Sequence, residues 1–284
     1  MVTVGGKTKT RLSAAVLFGA SLFASGTSAF AADLSMKDTP LEGSKFEWSA
    51  YAQGVSDYIF RGLSQNRRQP TAQGGVDLSY GILYAGTFVS GVNFTDPFGA
   101  PSTKVHVETD FYAGIKPKWR DLTFDFGVIT YNYPNNTFSH AAGSFDPFYY
   151  EVKAGVSTTI LKDVAVGATV YYSPDSQFEV GPATTVEGTV SKPIYKYAGV
   201  DFAASGTVGG VFYDKSTIYA NTKFSTPQDD YVYFNAGITA TYNAFSVDLR
   251  YWDSNADAGV SPCTTGVSVF QCGGAFAVTG KVAF

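Results

Sequence analysis

The sequence predicts an all-β fold, a transmembrane antiparallel β-barrel, and three observations carry that prediction. The chain opens on an export-type leader. Segment after segment of the remainder alternates apolar and polar residues with period two, the mark of strands with one apolar face. Composition supplies the third: 19 Tyr, 23 Phe and 30 Gly, with charged residues at only 15%, against roughly 25% in an average globular protein. A β-rich chain with so little charge has to lay its apolar faces against something other than water.

The leader comes first in the chain. Lys7, Lys9 and Arg11 precede the apolar run Leu12 to Ala24, and Ala29-Phe30-Ala31 closes the segment. A basic start, a short apolar stretch and small residues at the cleavage point make a secretory signal peptide. Residues 1–31 therefore read as leader and residues 32–284 as one barrel domain. The apolar run falls short of the roughly 20 residues of a membrane-spanning helix, and no other stretch is apolar enough to be one. The leader's cations leave with it, so the remainder is more acidic than the −4 of the whole chain. Nucleic acid, which requires a basic face, is not an expected partner.

Strands are expected near residues 46–61, 71–80, 82–94, 105–116, 122–133, 148–160, 164–173, 184–192, 199–213, 230–242, 246–252 and 274–284. In the first, Phe46, Trp48, Ala50 and Ala52 alternate with Glu47, Ser49, Tyr51 and Gln53. The fourth is the cleanest: Val105, Val107, Thr109, Phe111, Ala113 and Ile115 oppose His106, Glu108, Asp110, Tyr112, Gly114 and Lys116. The tenth runs Val232 to Tyr242 with Tyr233, Asn235, Gly237, Thr239 and Thr241 between. About twelve strands result, with ten or fourteen left open because the eighth is poorly patterned. Connections alternate between long polar stretches, such as TDPFGAPSTK and PNNTFSHAAGSFD, and short ones, such as Gly81, LKD and NAF. Short periplasmic turns, long outer loops and an even strand count belong to bacterial outer-membrane barrels.

The C-terminus narrows the location. Phe276, Val278, Gly280, Val282 and Phe284 share one face of a strand that ends the chain. A final aromatic strand of this kind is similar to the assembly signal of outer-membrane barrels. It makes the outer-membrane assembly machinery an expected partner through Phe284, beside membrane lipid and lipopolysaccharide. A secreted β-sandwich also alternates, but its outer face should carry more charge, and its connections need not alternate in length. Closure into a barrel is the way a sheet crosses lipid without exposed edges.

The stretch VSDYIFRGLSQNRRQPTAQGGVDLSYGILYAGTFVSGVNF, Val55 to Phe94, resembles the opening of the TorF-type family of porin-like proteins, the proteobacterial Gcw_chp family of unknown function. The SDY-x-FRG-x-SQ run, the P-x-x-QGG-x-D that follows and the YAG carry most of the likeness. ETDFYAG at Glu108 to Gly114 and the YNYP ending at Pro134 follow in order. The likeness is close through about residue 155 and loose beyond. It implies an outer-membrane barrel passing small solutes, and no catalytic residues.

Chemistry-bearing motifs are sparse. Two histidines and no HExxH leave no common metal-hydrolase motif, and no metal or cofactor is expected. His106 beside Glu108 reads as a polar residue among lumen-facing polar residues, and His140 falls in an outer loop. Outer-membrane hydrolases exist on barrels, but no constellation for one is present here, and the protein is not expected to be an enzyme. Cys263 and Cys272 flank TTGVSVFQ in the last outer loop; in an exported protein such a pair reads as a disulfide.

Strand parity turns Asp57, Arg61, Asp77, Glu108, Asp110, Asp125, Glu151, Lys153, Asp201, Asp248 and Arg250 toward the lumen as pore-lining charges. Rings of such charge set ion preference in channels, and an excess of acids implies a modest cation preference. The expected function is porin-like passive diffusion of small polar solutes or ions. A non-conducting anchor, receptor or adhesion barrel acting through its loops is the alternative, and an outer-membrane hydrolase the third. Tyr58 and Phe60 are expected on the lipid face with Phe46 and Trp48. At roughly 3.3 Å per residue and a tilt of about 40°, Trp48 and Tyr58 would stand about 25 Å apart, marking two aromatic girdles.

Overall fold

The computed structural model describes residues 45–95, 104–134, 147–214, 229–256, 263 and 270–284. The signal-peptide reading and His140 lie outside these residues. Twelve long strands form the molecule: β1 (Phe46–Val55), β2 (Thr71–Tyr80), β3 (Leu83–Thr95), β4 (Lys104–Ile115), β5 (Leu122–Asn132), β6 (Tyr149–Ile160), β7 (Val164–Ser176), β8 (Gly181–Tyr197), β9 (Val200–Tyr213), β10 (Tyr231–Tyr242), β11 (Phe245–Ser254) and β12 (Ala275–Ala283). Each pairs antiparallel with its sequence neighbours, and β1 pairs with β12, so the sheet closes on itself. The closing register sets Tyr51 opposite Ala283 and Val55 opposite Thr279. Phe284 completes it, donating its N–H to the Ala50 carbonyl at 2.8 Å and accepting from the Ala50 N–H at 3.3 Å. Closure leaves no free sheet edge for lipid to meet.

Alternation sorts the side chains into an outer apolar wall and an inner polar one. Outside, Phe46 and Trp48 each expose 63%, and Val208, Ile238, Val247 and Leu249 are exposed with them. Phe276 and Phe284, at opposite ends of β12, expose 68% and 70%. At roughly 3.3 Å per residue and a tilt of about 40°, they stand about 20 Å apart along the membrane normal, near the height of an outer-membrane apolar band. Inside, tyrosine rings lie flat over glycines of neighbouring strands. A Cβ at Gly86 would meet the Tyr112 ring at 2.5 Å, and one at Gly75 the Tyr51 ring at 2.6 Å. Part of the glycine content thus makes room for aromatic side chains to fold across the inner wall.

Three sequence expectations change. The first strand ends at Val55, not near residue 61, because Asp57, Tyr58 and Ile59 are buried in succession and no strand can bury three consecutive side chains on one face. Tyr58 is 3% exposed, so neither it nor half-buried Phe60 belongs to the lipid face, and Trp48 to Tyr58 does not measure the girdle spacing. The eighth strand is the longest of the twelve. Its pattern is blurred by a register shift between Pro193 and Tyr195, a position that tolerates proline's missing N–H. Finally, the β3–β4 register shifts between Gly91 and Phe94, turning Val105 inward and leaving His106 exposed instead of lumen-facing beside Glu108.

Candidate functional site in the barrel lumen

The segment after β1 does not leave the barrel; it folds into the lumen. Ile59 pairs with Ser64 and Phe60 with Leu63, a minimal ladder closed by Arg61 and Gly62 at φ of 49° and 80°. Two successive positive φ values define the tight turn whose twist suits a hairpin. Gly62 is required twice over. Its φ favours glycine, and an added Cβ would meet Tyr233 Cβ at 2.8 Å and Ser254 Cβ at 2.9 Å. The tip is therefore pressed against β10 and β11, while Ile59 packs with Trp252 and Ala277 on the same side.

The other side of the hairpin meets β4, β5 and β6 through charge. Arg61 donates both terminal nitrogens to Glu151, at 2.6 and 2.9 Å. Its guanidinium carbon lies 4.7 Å from the Phe60 ring centre and 5.0 Å from that of Tyr171. The Tyr131 hydroxyl donates to Glu151 at 2.9 Å. Two strands from Glu151, Glu108 accepts from Tyr58 at 2.6 Å and from Tyr133 at 2.7 Å, and Gln177 donates to the Tyr133 hydroxyl. Asp110, 2% exposed, keeps one carboxylate oxygen buried with no hydrogen-bond partner.

The base of the hairpin is tied as firmly. Ser64 donates its hydroxyl to Asp57 at 2.6 Å, and the Gln65 N–H reaches the Tyr58 carbonyl at 2.7 Å. Ser64 and Gln271 form a backbone bridge, and the Arg68 guanidinium donates to the carbonyls of Cys272 at 3.0 Å and Gly273 at 2.8 Å. Cys263 and Cys272 are joined as a disulfide with Cα atoms 6.0 Å apart, so the hairpin leans on a cross-linked segment. Burial pushes the Asp57 carboxyl above the usual carboxylate range, opposed by the Ser64 hydrogen bond and the Arg68 charge.

The charges that parity turns toward the lumen fall into separate groups. Asp57 and Arg61 sit on the hairpin, not on a strand, and Arg61 joins Glu151, Glu108 and Asp110 in one layer. Nearer the rim of short turns, Lys153 contacts Asp125 at 2.7 Å, Tyr84 donates to Asp125, and Tyr112 donates to Asp77. Across the barrel, Arg250 bridges Asp248 at 3.0 Å, Asn235 at 2.7 Å and the Ser205 hydroxyl at 2.8 Å. Asp201 pairs instead with exposed Lys196 at the rim.

Sequence reasoning missed Tyr58, Tyr131, Tyr133, Tyr233 and Glu187, which hold these acids or bridge to the tip; Tyr233 donates to Glu187. Parity alone places Tyr131, Tyr133 and Tyr233 inside, but an aromatic residue in a barrel strand reads first as a lipid anchor.

Exposure varies with depth. Around the hairpin, Glu108, Asp110, Glu151, Arg250 and Tyr233 expose 3% or less. Toward the short-turn rim, lumen-facing Ser79, Lys116, Asp125, Thr241 and Lys281 are partly buried. The arrangement is a polar inner wall whose most buried part is the hydrogen-bonded layer at the hairpin. Among the described residues, no three His, Cys, Asp or Glu side chains are grouped to hold a metal ion.

A family model described as a bacterial protein of unknown function (Gcw_chp) matches residues 41–280. No match was found among curated proteins. Similar solved structures include the NanC porin, at 11% identity with 83% of this chain and 98% of that chain covered and a TM-score of 0.48. LpxR from Salmonella typhimurium is similar at 11% identity, covering 83% and 99%, with a TM-score of 0.43. OmpF from Salmonella typhi, in complex with daunomycin, stands at 10% identity, 85% and 98% coverage, and a TM-score of 0.41.

Proposed function

The chain belongs to this Gcw_chp family of bacterial proteins of unknown function, and we propose that it is an outer-membrane diffusion channel for small polar solutes or ions, constricted by its own hairpin. The observation that carries the reading is the lumen's chemistry. The layer at its hairpin is built of Arg61, Glu151, Glu108 and tyrosine hydroxyls, set beside buried Phe88, Phe94, Val105 and Ile129. Buried charge survives only where partners or water satisfy it, and here Tyr58, Tyr131 and Tyr133 supply the partners. The signal peptide at residues 1–31, assembly through the strand ending at Phe284, contact with lipopolysaccharide and the TorF-type likeness are parts of the same proposal.

Planar-bilayer recording tests it. Wild-type protein should give small stepwise conductances. The Glu151→Gln variant, whose hairpin loses its ionic anchor, should give larger ones. A complete absence of steps in both would overturn the channel and favour a second reading, a non-conducting barrel working through its loops. The burial of Glu108, Asp110 and Glu151 to within 3% of complete supports that reading.

A further inference from the structure

We infer that the Glu151 layer is a binding site for small guanidinium-bearing cations, and that Arg61 of the hairpin occupies it as a tethered stand-in. The inference deepens the channel reading by naming a solute class, and rests on it for its biological use. Three features of the layer match a guanidinium specifically. Glu151 receives Arg61 through two parallel bonds, 2.6 and 2.9 Å, a fork geometry that a planar guanidinium supplies and an ammonium does not. The Tyr171 ring stands 5.0 Å from its central carbon, where a delocalised cation is stabilised by a π face. Tyr131 donates to the same carboxylate and fixes its orientation.

Two further observations indicate a site filled from within. Arg61 holds its place at φ 49°, a conformation costly for a residue with a Cβ, so the pairing compensates strain in the turn. Carboxyls also outnumber cations in the layer. Arg61 serves Glu151, Tyr58 and Tyr133 hold Glu108, and Asp110 retains a buried oxygen without a hydrogen-bond partner among the described residues. That oxygen leaves an acceptor in the layer for an entering N–H donor. A free guanidinium that reached this layer would compete with Arg61 for Glu151, and success would release the hairpin.

The test uses the full barrel refolded in detergent, with methylguanidinium as the probe and neutral N-methylurea as the control. In wild-type protein, methylguanidinium should raise amide hydrogen exchange across residues 56–70 about tenfold at saturation, the factor expected for loss of one charge-assisted anchor. N-methylurea should not, and Glu151→Gln should abolish the difference between the two. In Arg61→Ala, saturation-transfer NMR should detect bound methylguanidinium, and the Arg61→Ala/Glu151→Gln double variant should lose it.

Binding to Arg61→Ala without any response in wild type would mean that the substitution merely opened an artificial hole, and would overturn the inference. Equal effects of the two probes would do the same. Should Arg61→Ala not fold, the wild-type exchange experiment decides alone. None of these readouts requires conduction, so failure of the channel reading in bilayers is scored separately.

Discussion

At the residue scale, the molecule's polar interior turns on the pairing of Arg61 with Glu151. A buried ion pair is often no more stabilising than an apolar replacement, but breaking it from one side leaves a charge stranded in low dielectric. Arg61 has an additional stake, because its Nε is already buried without a hydrogen-bond partner. Glu151→Gln should therefore loosen the hairpin by about 3–5 kcal/mol, the usual cost of removing one partner of a buried pair. Replacing both residues, as Arg61→Met with Glu151→Leu, should restore much of that loss. Native-state exchange at the Gln65 amide, whose hydrogen bond to Tyr58 spans the hairpin, measures the opening free energy directly. A Glu151→Gln hairpin no looser than wild type, or a double variant as loose as the single, would show that packing against Trp252 and Tyr233 holds it instead.

At the element scale, the strands and the hairpin were unequally legible. Alternation located the strands because each residue chooses between two media, lipid and lumen, and that choice writes itself into every second position. The segment Ser56 to Pro70 escaped because its neighbours on both sides are protein. Tyr58, Ile59 and Arg61 obey no alternation there, and the run up to Arg61 continues the strand expected over residues 46–61. His106 was misplaced for a related reason, since a bulge reverses parity without altering composition. The hairpin's dependence on the segment across from it yields a second expectation. Arg68 and Ser64 grip Gln271 to Gly273, which end at the Cys263–Cys272 link. Cross-linking a short loop stabilises it by about 2–3 kcal/mol. Cys263→Ser/Cys272→Ser should therefore leave the barrel closed but free the Arg67-Arg68 region. Tryptic cleavage there should accelerate roughly tenfold or more, since each 1.4 kcal/mol is a factor of ten. Unchanged cleavage would place the grip in the backbone bridge alone.

At the scale of the whole molecule, charge is distributed by depth, and that distribution decides what a current through the barrel would report. Toward the short-turn rim charge is nearly balanced: Asp77 and Asp125 face Lys116, Lys153 and Lys281. The layer at the hairpin is set by the Arg61–Glu151 pair, with the buried carboxyls of Glu108 and Asp110 in the same layer. Selectivity in a channel is set where the path is narrowest and driest, because there Coulomb energies are least screened. Reversal potentials in a potassium chloride gradient should accordingly show a modest cation preference. Glu151→Gln should reduce it more than Asp77→Asn, although both remove one acid from the lumen. Glu151 is the sensitive position because it is the ion-paired acid of the hairpin layer and its loss leaves Arg61 unopposed, whereas Asp77 is held by Tyr112 nearer the short-turn rim. Anion preference in wild type, or equal effects of the two substitutions, would mean that permeating ions do not pass the Glu151 layer, and the constriction would have to be sought elsewhere along the barrel.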